Sequence, residues 1–183
     1  MKVLFVNACV RDESRTLYLC REYIKKHLKG CQIEQLDLEN LDIAPLSRER
    51  LRQRDLLIEK GDYSDKMFCL AHKFAEADLI LVGAPFWDCS FPASLKVFIE
   101  NISINGLTFG YNGGKHTRII NAQKMVYITS AGGYIGRDSS LELYLRELCA
   151  LFCIPQIKFI KADGLDIVSA DVQTILDKTV KNM

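Results

Sequence analysis

The sequence predicts a three-layer, doubly wound α/β fold with five parallel strands in the order 2-1-3-4-5. Three observations predict it. Four apolar runs rich in Val, Ile, Leu, Phe or Tyr recur at 2–8, 78–85, 124–131 and 157–164. Such near-continuous runs suit strands buried on both faces of a parallel sheet. Helical periodicity fills the intervals, so strand and helix alternate. The length of 183 residues is that of one such domain, large enough to bury about 70% of its unfolded surface. No internal repeat, low-complexity tract or linker interrupts the chain, so residues 1–183 read as a single domain.

The elements follow in order. "KVLFVNA" (2–8) is the first strand. Leu17, Cys20, Ile24 and His27/Leu28 then fall on one helical face. "CQIEQLDL" (31–38) is a weaker second strand, because its alternation is imperfect. Residues 47–77 read as helical with an interruption at Gly61. "DLILVGAP" (78–85) is the third strand, and "PASLKVFIENI" (92–102) opens a helix with Pro, whose missing N–H is harmless there. "KMVYITSA" (124–131) is the fourth strand, followed by a helix carrying Leu141, Leu145, Leu148 and Phe152 on one face. "IKFIKADG" (157–164) is the fifth strand, and Val168, Val172, Ile175/Leu176 and Thr179 mark a C-terminal helix.

The charge balance, 24 Lys+Arg against 23 Asp+Glu, argues against a nucleic-acid surface, which needs a concentrated basic excess. The run "RERLRQR" (48–54) reads as a solvated helix face. No apolar stretch approaches the roughly 20 residues of a membrane span. The N-terminus lacks the features of a signal peptide and reads as a buried strand. Seven scattered cysteines suit a reduced, cytoplasmic setting. Cys149 and Cys153 are expected to share a helix face as small core residues. No Cys-x-x-Cys pair or neighbouring His suggests a metal site.

In a doubly wound sheet, ligands bind beyond the carboxyl ends of the strands, where the strand order reverses. That directs attention to "ACVRDESRT", "APFWDCSFPAS" and "TSAGGYIGRDS", the loops after strands one, three and four. The first loop has the Cys-x5-Arg-Ser/Thr spacing of a phosphatase nucleophile, with Cys9 and Arg15. Against that reading, the loop has no glycine, carries Asp12 and Glu13, and no Asp-Pro supplies the general acid. The alternative makes Ser14, Arg15 and Thr16 the opening of a helix whose free N–H groups hold a phosphate, with Arg11 and Arg15 as countercharge. The second loop concentrates Phe86, Trp87 and Phe91, flat groups placed to meet a flat partner. In the third, Gly132 and Gly133 allow close backbone approach. Together the three loops favour a planar, phosphate-bearing cofactor, namely FMN.

"APFWDCSFPASLKVFIENISINGLTFGYNGG" followed by "KMVYITSAGGY" resembles the FMN-dependent NAD(P)H oxidoreductases of the flavodoxin-like fold, in particular the quinone reductase and azoreductase branch. The similarity covers essentially the whole chain. It implies that Ser14, Arg15 and Thr16 hold the FMN phosphate. Pro85, Phe86, Trp87, Asp88 and Cys89 would line the isoalloxazine, with the Asp88 N–H facing N5. Ser130, Gly132 and Gly133 would meet the pyrimidine edge. Trp87, Phe109 and Tyr134 are the expected stacking walls for substrate, and His116 an expected substrate contact; His27 and His72 read as structural. The resemblance further implies a homodimer whose pocket is completed by the second chain, and ping-pong hydride transfer from NAD(P)H to a quinone, azo or nitroaromatic acceptor. Departures are Asp88 where Asn is common, Ala8-Cys9 where a hydroxyl residue is common, and a short segment after strand two. The competing classes are a flavodoxin-like electron carrier, against which the near-neutral charge argues, and a binding or regulatory module without cofactor.

Overall fold

A computed structural model describes residues 1–136, 139–167 and 169–183; Val168, placed above on the last helix, lies outside them. The five-stranded parallel sheet consists of β1 (Lys2–Asn7), β2 (Gln32–Asp37), β3 (Leu79–Gly83), β6 (Lys124–Ser130) and β7 (Gln156–Ala162), in the order β2-β1-β3-β6-β7. This is the predicted 2-1-3-4-5 order. A small antiparallel hairpin, β4 (Gly110–Asn112) and β5 (Lys115–Thr117), separates β3 from β6 in sequence.

Strand alternation divides the core into two layers. Leu4, Val6, Ile80, Val82, Met125 and Tyr127 face one side, against α3 (Cys69–Glu76), α4 (Ala93–Ile102) and α5 (Ser140–Leu151). Val3, Phe5, Leu79, Leu81, Val126 and Ile128 face the other, against α1 (Arg15–His27) and α6 (Val172–Lys181). Successive residues of a strand point to opposite faces, so both faces of the central strands must be apolar. β2 lies at the sheet edge and buries only Leu36, which explains its weak sequence signal. Leu141, Leu145, Leu148 and Phe152 are all buried, as their spacing predicts.

The structure corrects four local expectations. The buried face of α1 is Thr16, Leu19, Cys20 and Tyr23, so Leu17 and Ile24 lie on its flanks and the exposed His27 stacks 4.7 Å from the Tyr23 ring. The face turns because Thr16, a polar residue, is satisfied inside by Ser130. The helical stretch 47–77 breaks at Gly61 as expected, but the break is longer than one residue, parting α2 (Arg48–Glu59) from α3. Gly61 takes a left-handed φ of 65°, and the Asp62 and Asp65 side chains then accept hydrogen bonds from Ser64 N and Met67 N; such local bonds compete with helix. Cys149 and Cys153 do not share a face, because α5 stops at Leu151 and Cys153 adopts φ 53°. The "YNGGKHT" loop is the β4–β5 hairpin, turned by Gly113 and Gly114, both at positive φ (57° and 78°), as a tight two-residue turn requires.

The basic run 48–54 lies on α2, which fully buries none of its residues. All seven cysteines are free. Among the described residues, no helix is long and apolar enough to cross a membrane.

Candidate functional site

The carboxyl ends of β1, β3 and β6 open into a cleft of about 590 Å³, within the size range of small-molecule sites. Its walls are Cys9, Val10, Arg11, Glu13, Ser14, Arg15 and Thr16 from the first loop, Pro85, Phe86 and Trp87 from the second, and Ser130, Ala131 and Gly132 from the third, with Asp166 from the loop after β7. A smaller depression of about 210 Å³ lies at the opposite end of the sheet. Its charged groups are already matched, Lys2 with Glu76 at 3.2 Å and Lys73 with Glu34.

The first wall is a helix start. Ser14 is the N-cap of α1, its Oγ accepting from Leu17 N at 3.2 Å. A first helical turn leaves backbone N–H groups without internal partners, and the helix dipole adds positive potential there. Arg15 Nη1 donates to Asp166 Oδ1 at 2.7 Å. The Arg11 guanidinium carbon lies 5.9 Å from the centre of the Trp87 ring. Thr16 is buried, and its Oγ1 lies 2.7 Å from Ser130 Oγ, which ties α1 to the end of β6.

The second wall is a turn. Trp87 N donates to Ser90 O at 3.0 Å and Ser90 N to Trp87 O at 2.7 Å. Between them Asp88 (φ 49°) and Cys89 (φ 63°) both take left-handed backbone, the geometry of a tight I′ turn normally given to Asn-Gly. Holding two side-chain-bearing residues there costs about 1–2 kcal/mol each. Phe86 N donates to Ser130 O at 3.0 Å, which anchors this loop to β6. Phe91 turns inward, 5.5 Å from the Tyr144 ring, and packs on the core.

The third wall is laced to the fourth. Ala131 N donates to Ala162 O, Gly164 N to Gly133 O, Leu165 N to Ala131 O and Asp166 N to Gly132 O, at 2.9–3.2 Å. A Cβ on Gly132 would sit 2.2 Å from Asp166 Oδ2. Close approach of the Asp166 carboxylate therefore requires glycine at 132, whereas position 133 faces open space. A Cβ on Gly164 would meet the Tyr134 ring at 2.8 Å.

Of the residues selected from sequence, the structure gathers Arg11, Ser14, Arg15, Thr16, Pro85, Phe86, Trp87, Ser130 and Gly132 in one cleft. Asp88 and Cys89 are exposed on the turn beside it. Gly133 and Tyr134 follow the lining, with Tyr134 76% exposed. Phe109 packs against the main core and makes an edge contact with Tyr111, whose ring lies 4.8 Å from His116 on the hairpin. His72 is held by the Tyr63 carbonyl at 2.8 Å. Val10, Glu13, Ala131 and Asp166 also line the cleft and were not selected. Asp166 had one available signal: it follows the fifth strand at its carboxyl end, as the other cleft loops follow theirs.

Cys9 is unsuited to nucleophilic work. It is 5% exposed, and its Sγ donates to Gly83 O at 3.7 Å. Burial pushes its thiol pKa up, and the Asp37 carboxylate adds to the rise against a hydrogen bond with Ser14. A phosphatase cysteine needs the opposite shift.

Residues 1–183 match the family described as having a flavodoxin-like fold. An "FMN-dependent NADH:quinone oxidoreductase" of Clostridium perfringens (strain SM101) is 35% identical, over 94% of this chain and 90% of that protein. An "FMN-dependent NADH:quinone oxidoreductase 2" of Clostridium acetobutylicum is 32% identical, over 98% and 94%. Among solved structures, an azoreductase from Bacillus anthracis str. Sterne superposes with a TM-score of 0.82 at 19% identity, covering all of this chain and 96% of that one. An FMN-dependent NADH-azoreductase from Bacillus anthracis str. Ames Ancestor, in complex with FMN, gives 0.83 at 19% identity, with 100% and 95% coverage. At that identity the superpositions establish the fold alone.

Proposed function

From the premise that the chain belongs to the flavodoxin-like fold family, we propose that it is an FMN-dependent NADH:acceptor oxidoreductase acting on quinone, azo or nitroaromatic compounds. The observation that carries this reading is the cleft itself. A helix start with two arginines stands at one side of the strand ends and an exposed Trp on a strained turn at the other. The names of relatives at 31–35% identity over nearly the whole chain support it.

The residues suit FMN. The first turn of α1 and Arg15 offer donors for a phosphate. Phe86 and Trp87 offer flat apolar surface for a ring. Among the described residues, the N–H groups of Asp88 and Cys89 have no backbone hydrogen-bond partner, so they could meet a polar ring edge. The chemistry that FMN supplies when bound is hydride transfer at its ring, from the nicotinamide first and then, once that has left, to the acceptor in the same place. The protein's part is placement. The Thr16–Ser130 contact ties the helix start that would hold the phosphate to the end of β6. The N–H dipoles around Gly132 and Gly133 favour negative charge at the facing edge of a reduced ring. Asp88 is exposed and does not line the cleft, so its carboxylate is kept from the ring.

The proposal extends to a homodimer that closes the open side of the cleft, supported by Leu51 and Leu56, which α2 leaves exposed. It extends also to a cytoplasmic setting, supported by seven unpaired cysteines. The test is an absorption spectrum of the purified protein with FMN, before and after NADH under anaerobic conditions. A bound yellow chromophore bleached rapidly by NADH is expected. No binding would overturn the reading, and binding without direct reduction would make the protein an electron carrier.

A further inference from the structure

We propose that Asp166 is a built-in competitor for the phosphate-binding arginine and sets how tightly the cleft holds a dianionic cofactor tail; this rests on the FMN reading above. Among the described residues, four charged side chains line the cleft: Arg11, Arg15, Glu13 and Asp166. Their formal charges cancel, which is an unusual start for a site that must receive a dianion. Neither arginine is free. Arg11 lies over the Trp87 ring, and Arg15 holds Asp166 at 2.7 Å.

The carboxylate is held there by backbone. Asp166 N donates to Gly132 O at 3.0 Å and Leu165 N to Ala131 O at 3.2 Å, so the loop after β7 is tied to the Ala131–Gly132 wall of the cleft. Gly132 leaves the space that the carboxylate fills. Both partners of the ion pair are substantially exposed, 40% and 66%, and exposed pairs are individually weak. A phosphate therefore displaces the pair readily but then faces the Asp166 charge nearby. The result is a cofactor held less tightly than the two arginines alone would hold it, so that it exchanges with free FMN. Riboflavin, whose tail is neutral and whose oxidised ring is uncharged, senses this charge far less.

The experiment is calorimetric titration of wild type, Asp166→Asn and Asp166→Ala with FMN and with riboflavin. Exposed Asp177→Asn on α6 serves as a charge-matched control outside the cleft. Both Asp166 variants are expected to bind FMN about three- to tenfold more tightly, a gain that shrinks in roughly 0.5 M salt. Riboflavin affinity stays close to the wild-type value, and Asp177→Asn moves neither ligand. The proposal is overturned if the Asp166 variants bind FMN more weakly, which would make Asp166 a support for Arg15. It is equally overturned if FMN and riboflavin shift together. A wild-type chain that binds neither flavin overturns the cofactor reading, and this inference with it, before any substitution is made.

Discussion

The two loop walls beside the central strands reach order by opposite means. The diglycine wall is laced to its neighbour: four backbone hydrogen bonds join residues 131–133 to 162–166, and Gly132 and Gly164 exist to let side chains in close. The aromatic wall closes on itself through the Trp87–Ser90 pair and carries Asp88 and Cys89 where glycine would relax the backbone. One wall removes side chains to gain contacts. The other keeps side chains and accepts strain, a pattern found where a surface must present groups to a ligand.

Three measurements sharpen or break that contrast. The largest difference is expected between two cysteines, one at the base of the cleft and one on the turn. Cys9 is buried with its thiol pKa raised, and Cys89 is exposed. Because the raised pKa shrinks the thiolate fraction of Cys9 and burial shields its Sγ, iodoacetamide at pH 8 should label Cys89 at least about 100-fold faster than Cys9. Labelling of Cys9 should climb only as pH passes above the ordinary thiol range. Mass-mapped rates that match at the two sites would show an open base and restore a nucleophile there. Next, Gly164→Val places a branched side chain at φ 71° against the Tyr134 ring. It should lower stability by about 2 kcal/mol or more, a fall in Tm of roughly 5 °C. An unchanged melting curve would mean the laced wall is slack. The smallest effect has the opposite sign. Cys89→Gly relieves about 1–2 kcal/mol of left-handed strain and loses somewhat less to unfolded-chain entropy. Denaturant titration should show a gain of up to about 1 kcal/mol, and a loss would mean the turn is not strained.

These contrasts also mark what the sequence made legible. Four of the five strands were readable because burial in the sheet writes a near-continuous apolar run, whereas the edge strand β2 buries only Leu36 and showed faintly. The first loop and Trp87 were readable as cleft residues because a capping Ser and a lone exposed indole each carry a mechanism. The α1 face was misread by one position because Thr16 is buried through a hydroxyl contact with a strand far along the chain. The β4–β5 hairpin escaped because three-residue strands have no room for periodicity, although its Gly-Gly pair was a turn signal. The left-handed turn at Asp88–Cys89 was invisible, since Asp tolerates that conformation but Cys does not favour it and no glycine marks the turn. Asp166 was not legible because its partner, Arg15, is 151 positions away, and the loop after the fifth strand carries neither a glycine pair nor an aromatic cluster like those of its neighbours.

The chain has one Trp, at position 87, lodged at the cleft mouth with a guanidinium over its ring. Indole emission from this molecule therefore comes from a single emitter beside the site. A flavin entering would quench it by energy transfer, while an event elsewhere in the fold would leave it dark to the change. The protein thus carries its own optical gauge of occupancy, calibrated by where evolution left its lone indole.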